Sequence, residues 1–153
     1  MGLSLQAQLC VVVFGIFLSS FIHLHEFRKL DGFEFPVYST EYCPRNETEW
    51  EERSTAINCS DKNGYVCLPN KNITELLEFC YTIPFIWIEE GICLYLNKRP
   101  SIVLSYNCSQ FQFGCPNATH KSFDLFENPE CTTIKNGCFL AEPSCYSSPK
   151  PKV

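Results

Sequence analysis

The chain has 153 residues, 17 Asp plus Glu against 12 Lys plus Arg, and a net charge of −5 with His neutral. This length suits one modest folded domain, and with no basic stripe to neutralise phosphates the composition argues against nucleic acid as a partner. Eleven cysteines beside only three histidines favour a covalently stapled fold over a histidine-dependent catalyst.

Residues 1–25 contain no Asp, Glu, Lys or Arg, and the apolar run from Leu9 to Leu18 has the length of a signal-peptide core. It is short for a membrane span of about 20 residues. A cleaved signal over residues 1–20 is expected. The alternative is an uncleaved anchor extended through Phe21 and Ile22. Its flanking Arg28 and Lys29 would favour a cytoplasmic C-terminal portion, where disulfides and glycans do not form. Residues 21–42 are expected as a lead-in, in which Phe33, Phe35 and Val37 alternate like a short edge strand that Pro36 demotes.

From Asn46 the pattern turns helical. Asn46 with Glu49 three residues on resembles a capping box, and Trp50, Arg53, Ser54 and Ile57 follow at helical spacing. Glu47, Glu49, Glu51 and Glu52 form a solvated acidic face, with a docking role as the lesser reading. Asp61-Lys62-Asn63-Gly64 reads as a turn, and a second short helix is expected over residues 74–79 with Leu76, Leu77 and Phe79 buried. The most apolar stretch, Ile83-Pro84-Phe85-Ile86-Trp87-Ile88, is expected to be core; its other reading is a lipid- or ligand-binding patch. Two strands around residues 92–96 and 102–106, joined across residues 97–101, are expected to form a hairpin. The last third, rich in Pro, Asn and Gly, is expected to be looped and stapled. Residues 146–153 are expected as a flexible polar tail.

The cysteines organise the whole. Cys43, Cys59, Cys67, Cys80, Cys93, Cys108, Cys115, Cys131, Cys138 and Cys145 are spaced by 16, 8, 13, 13, 15, 7, 16, 7 and 7 residues. None of these intervals is the close Cys-x2-Cys pair that grips zinc, so five disulfides are expected, with the pairing open among 945 possibilities. The first four recur as the next four at offsets of 50, 49, 48 and 51. A duplicated module of about fifty residues and near-even spacing by chance both account for that regularity.

Five sequons begin at Asn46, Asn58, Asn72, Asn107 and Asn117. Ten asparagines in a chain with 21 Ser plus Thr would give roughly 1.4 by chance, so the excess supports passage through a glycosylating compartment. Asn58-Cys59-Ser60 and Asn107-Cys108-Ser109 place a glycan site beside a cysteine. In a strand, neighbouring side chains face opposite ways, one to water and one to its bridge.

Chemistry-bearing residues are sparse. His23 and His25 lie next to the expected cleavage region, and His120 stands beside a sequon without a nucleophile motif. Glu51-Glu52 and Glu89-Glu90 are the obvious carboxylate pairs. There is no Gly-rich phosphate loop and no EF-hand spacing. No catalytic residue, metal site or cofactor is expected.

The run Cys43-Pro-Arg-Asn-Glu-Thr-Glu-Trp50, with Glu78-Phe-Cys-Tyr81, Gly114-Cys-Pro116, Pro129-Glu-Cys131 and Cys138-Phe-Leu-Ala-Glu-Pro-Ser-Cys145, resembles a cysteine-rich ectodomain of bivalve proteins. Longer members of that group resemble EGF-like or scavenger-type membrane receptors. The resemblance spans residues 43–145, implies an extracellular module, and transfers no functional residues. The resulting expectation is a small disulfide-rich α+β domain with short helices, at least one β-hairpin and long stapled loops. Its expected role is a secreted glycoprotein module that recognises an extracellular protein or glycan, with no membrane span in the mature chain. A membrane-associated ectodomain fragment is the alternative location. A protease inhibitor or toxin-like effector using residues 97–101, and a small secreted hydrolase, are the alternative functions.

Overall fold

The computed structural model describes residues 28–146. The expected signal peptide, His23, His25 and all but Tyr146 of the expected tail lie outside them. Within them the chain forms a small disulfide-rich α+β domain. Four antiparallel strands, β1 (Arg28–Leu30), β2 (Val37–Thr40), β3 (Tyr65–Pro69) and β4 (Leu76–Cys80), make one sheet in the order β1-β2-β4-β3. The helix α1 (Glu47–Ala56) crosses between β2 and β3. Three two-stranded ladders complete the strands. β5 (Trp87–Ile88) pairs with β8 (His120–Lys121), β6 (Ile92–Asn97) with β7 (Ile102–Asn107), and β9 (Ile134–Lys135) with β10 (Cys138–Phe139). Short 3-10 turns at Ser122–Glu127, Pro129–Cys131 and Pro143–Cys145 fill the last third.

The helix begins and ends where local chemistry dictates. The Asn46 side chain accepts the Glu49 amide at 2.9 Å, satisfying an orphan N–H of the first turn. Glu49 reaches back one residue further than a capping box would, accepting the Arg45 amide at 3.0 Å and its guanidinium at 2.8 Å. At the other end Asn58 takes a left-handed φ of 58°. The Cys59 amide donates to Ser54 O at 3.0 Å and the Asn58 amide to Thr55 O at 3.1 Å. That is a Schellman closure with asparagine where glycine is commonest.

Directly paired residues share a face of the sheet. Register places Thr40 and Leu76, Tyr38, Glu78 and Cys67, and Tyr65 and Cys80 on one face. Both cysteines of that face hold α1. Cys67 bonds Cys43 before the helix and Cys80 bonds Cys59 after it, so the helix is strapped to the sheet at both ends. Trp50 packs edge-on against Tyr65, centroids 4.6 Å apart. The opposite face carries Val37, Val66 and Phe79, with Phe79 against Phe35 at 5.3 Å. Leu94, Leu96 and Leu125 join this main core.

Two expectations change here. Residues 74–79 are not helical: β4 is the inner strand between β2 and β3, buried on both faces from Leu76 to Phe79. A short run of apolar residues fits helix and buried strand alike, and sheet pairing decides. Residues 28–42 are also more than a lead-in, because β1 and β2 finish the sheet and Phe33 and Phe35 pack on the core. Pro36 sits just outside β2, where no ladder hydrogen bond is asked of it.

The halves are cross-linked differently. Cys43–Cys67 and Cys59–Cys80 interlace, whereas Cys108–Cys115 nests inside Cys93–Cys131 and Cys138–Cys145 stands apart. Matching offsets therefore coincide with unmatched connectivity and unmatched secondary structure, which is what the spacing-by-chance reading implies.

Candidate functional site

The apolar run at residues 83–88 divides by alternation. Ile86 and Ile88 turn to the core, Ile88 being 1% exposed, while Trp87 stands 61% exposed and Ile83 45% exposed. The expectation of a wholly buried segment is thus corrected. It is a two-residue strand with its neighbours, and a strand has two faces.

Trp87 pairs across the ladder with Lys121, so both point the same way. Phe85 and Phe123 lie two residues from these partners and share the face. The Phe85 ring meets Trp87 edge-on at 5.6 Å and Phe123 at 5.9 Å. The Lys121 ammonium sits 4.9 Å from the Phe85 centroid, 5.2 Å from Trp87 and 5.1 Å from Phe123. One cation is therefore gathered over three rings, within the range of attraction to a ring quadrupole. Among the described residues Lys121 has no ion pair with a carboxylate.

The backbone under this platform is fixed from behind. Buried Ser122 donates its amide to Ile86 O at 2.9 Å, and its hydroxyl accepts the Ile86 amide at 3.0 Å. Gly64 donates to Ile83 O at 3.0 Å. A Cβ at Gly64 would lie 1.7 Å from the Pro84 carbonyl oxygen, so only glycine lets the β3 end approach this segment so closely.

Two grooves flank the sheet. One of about 690 Å³ is lined by Tyr42, Arg45, Glu75, Phe126, Thr133 and Ile134 among others. Two of its charges are already paired, Arg45 with Glu49 at 2.8 Å and Glu75 with Arg28 at 2.6 Å. The other, about 460 Å³, is lined by Phe33, Lys71, Asn72, Lys98 and Arg99 among others, with Lys98 over the Phe33 ring at 5.3 Å.

Among the described residues one charged cluster is buried. Glu78, fully buried on β4, pairs with the Arg53 guanidinium from α1, which also donates to Thr40 Oγ1 at 2.6 Å and Tyr42 O at 3.0 Å. The Tyr65 hydroxyl lies beside the same guanidinium; burial drives its pKa well above the ordinary tyrosine value, with Arg53 opposing. The cluster ties helix to sheet, and its partners Thr40 and Tyr42 lie on the wall of the larger groove.

The expected site residues fall as follows. All ten cysteines of the lattice are paired. Asn46, Asn58, Asn72, Asn107 and Asn117 are all exposed, and Cys108 is buried beside exposed Asn107. His120 faces its own Ala118 carbonyl at 3.2 Å and pairs with Ile88 in the ladder. Glu51, Glu52, Glu89 and Glu90 point to water. Residues 98–101 form a tight turn braced by the Ser101 hydroxyl, which accepts the Glu34 amide at 2.9 Å and donates to Lys98 O at 3.1 Å. Among the described residues no group of three metal-ligating side chains converges, and no helix is long and apolar enough to cross a membrane. Lys121 and Phe123 were not singled out by the sequence. The stretches 85–87 and 121–123 each carry an i, i+2 pair on one face, and only the β5 and β8 pairing brings the two together.

Comparison with family models, curated proteins and solved structures returns no match for this chain.

Proposed function

We propose that this chain is an extracellular recognition module, routed through the secretory pathway and glycosylated at Asn46, Asn58, Asn72, Asn107 and Asn117. The observation that carries the reading is the Phe85, Trp87, Phe123 and Lys121 platform, an apolar surface left in water on a frame of five disulfides. Exposed rings on a rigid base cost stability in the isolated fold, and contiguous surfaces of this kind mark interaction sites. Five cross-links in so small a domain fit an oxidising compartment. Five exposed sequon asparagines are all reachable by a glycosyl transfer enzyme. The likeness to bivalve receptor ectodomains belongs to the same proposal, with the platform as the ligand-facing surface.

The test is secretion of the full chain from eukaryotic cells, followed by screening against glycan, lipid and cell-surface arrays. The reading expects binding that falls when Trp87 becomes serine. Silence on every array from a correctly disulfide-bonded preparation sinks it.

A further inference from the structure

We infer that the occupant of the aromatic platform is the interfacial zone of a zwitterionic phospholipid bilayer, with the rings at the acyl boundary and Lys121 on a lipid phosphate. This rests on the recognition reading above and names its ligand.

The composition of the surface makes the choice. Trp87 and Phe123, with Ile83 and Pro84 beside them, are exposed, and Phe85 is half-buried. Indole rings concentrate at the headgroup level of bilayers, where an apolar body and a polar tip are both accommodated, and phenyl rings sit on the apolar side of that boundary. Lysine behaves likewise, laying its stem along apolar surface while its ammonium seeks an anion. The Lys121 ammonium already lies over the three rings and lacks a carboxylate among the described residues, so the phosphate of a headgroup completes it.

Other occupants suit the surface less well. A sugar presents several hydroxyls that need matched donors and acceptors, whereas the platform offers one ammonium and one indole N–H. A second copy of the chain docked about a twofold axis would bring Lys121 towards its own symmetry mate and set like charges face to face. A net charge of −5 disfavours strongly anionic leaflets, which selects phosphatidylcholine over phosphatidylserine surfaces.

The experiment is co-sedimentation of the full, disulfide-intact chain with phosphatidylcholine vesicles, read alongside tryptophan emission. Trp50 is buried, so a change on binding reports Trp87. The expected result is partition into the pellet, a blue shift, and quenching by lipids brominated near the headgroup end of their acyl chains. Combined Trp87→Ser and Phe123→Ser should lower partitioning by about tenfold or more, and Lys121→Glu should lower it by a smaller factor, since it removes one phosphate contact and leaves the rings. Failure to sediment with any vesicle overturns the inference, as does sedimentation unchanged in these variants. If vesicles fail while a glycan or protein array responds through Trp87, lipid is the wrong occupant and the recognition reading stands. If both are silent, both fall.

Discussion

Residues 28–80 and residues 81–146 carry order by different means. The first stretch builds a continuous sheet whose inner strand is buried on both faces, and its two disulfides strap a single helix to that sheet. The second has one proper hairpin, two two-residue ladders and three short 3-10 turns around a small cluster of Ile73, Cys93, Cys108, Cys131 and Phe139. Three of the five residues of that cluster, Cys93, Cys108 and Cys131, are half-cystines, so covalent ties stand where side-chain bulk would otherwise pack. The difference teaches that similar cysteine spacing serves two designs, one clamping regular structure and one substituting for it.

The harshest way to break the comparison is full reduction. Residues 81–146 should lose protected amides first and the sheet later, with global unfolding following; hydrogen exchange under graded reductant reads the order. Simultaneous loss in both stretches would mean that the sheet has no independent reserve.

Next in size is the buried charge. Glu78→Ala or Arg53→Ala leaves its partner charged and desolvated, with an expected cost of about 3–5 kcal/mol in denaturant unfolding. Glu78→Leu combined with Arg53→Met should cost less than either single change, because no orphan charge remains.

Removing cross-links one at a time sharpens the contrast within residues 81–146. Cys93–Cys131 closes a separation of 38 residues and Cys138–Cys145 one of 7. Loop entropy assigns roughly 4 kcal/mol to the first and roughly 2 kcal/mol to the second when both cysteines become serine. Thermal and denaturant melts of the two double variants should rank in that order. Gly64→Ala is expected to cost about 2 kcal/mol by forcing the Pro84 carbonyl away, and it should weaken the platform without touching a ring.

The smallest effect concerns pH. Burial first, then the hydrogen bond to Glu142 and its negative charge, push Tyr106 up to about 12. The unfolded chain releases this proton near the ordinary value of 10 and the folded chain holds it. The contribution is therefore whole below pH 10 and lost as pH climbs from 10 to about 12. Tyrosinate absorbance should show Tyr106 titrating late, with buried Tyr65 later still, and Glu142→Gln should bring the Tyr106 step earlier.

Much of the local structure was legible and most of the long-range structure was not. The Asn46 cap and the hairpin of β6 and β7 depend on neighbours in sequence, and both are written there. The strand at Leu76–Cys80 was hidden because Leu-Leu-Glu-Phe suits either period, and nothing near Glu78 in sequence announces its partner Arg53, 25 residues away. By composition residues 83–88 suit core or patch, and alternation makes them both. Lys121 joins Trp87 only through the β5 and β8 pairing, a contact no spacing announces.

Peptide mapping of the secreted chain under non-reducing conditions tests the account most directly. It should recover Cys43–Cys67 and Cys59–Cys80 interlaced, Cys93–Cys131 enclosing Cys108–Cys115, and Cys138–Cys145 separate. Free thiols throughout, or a bridge joining the first four cysteines to the last six, would contradict it.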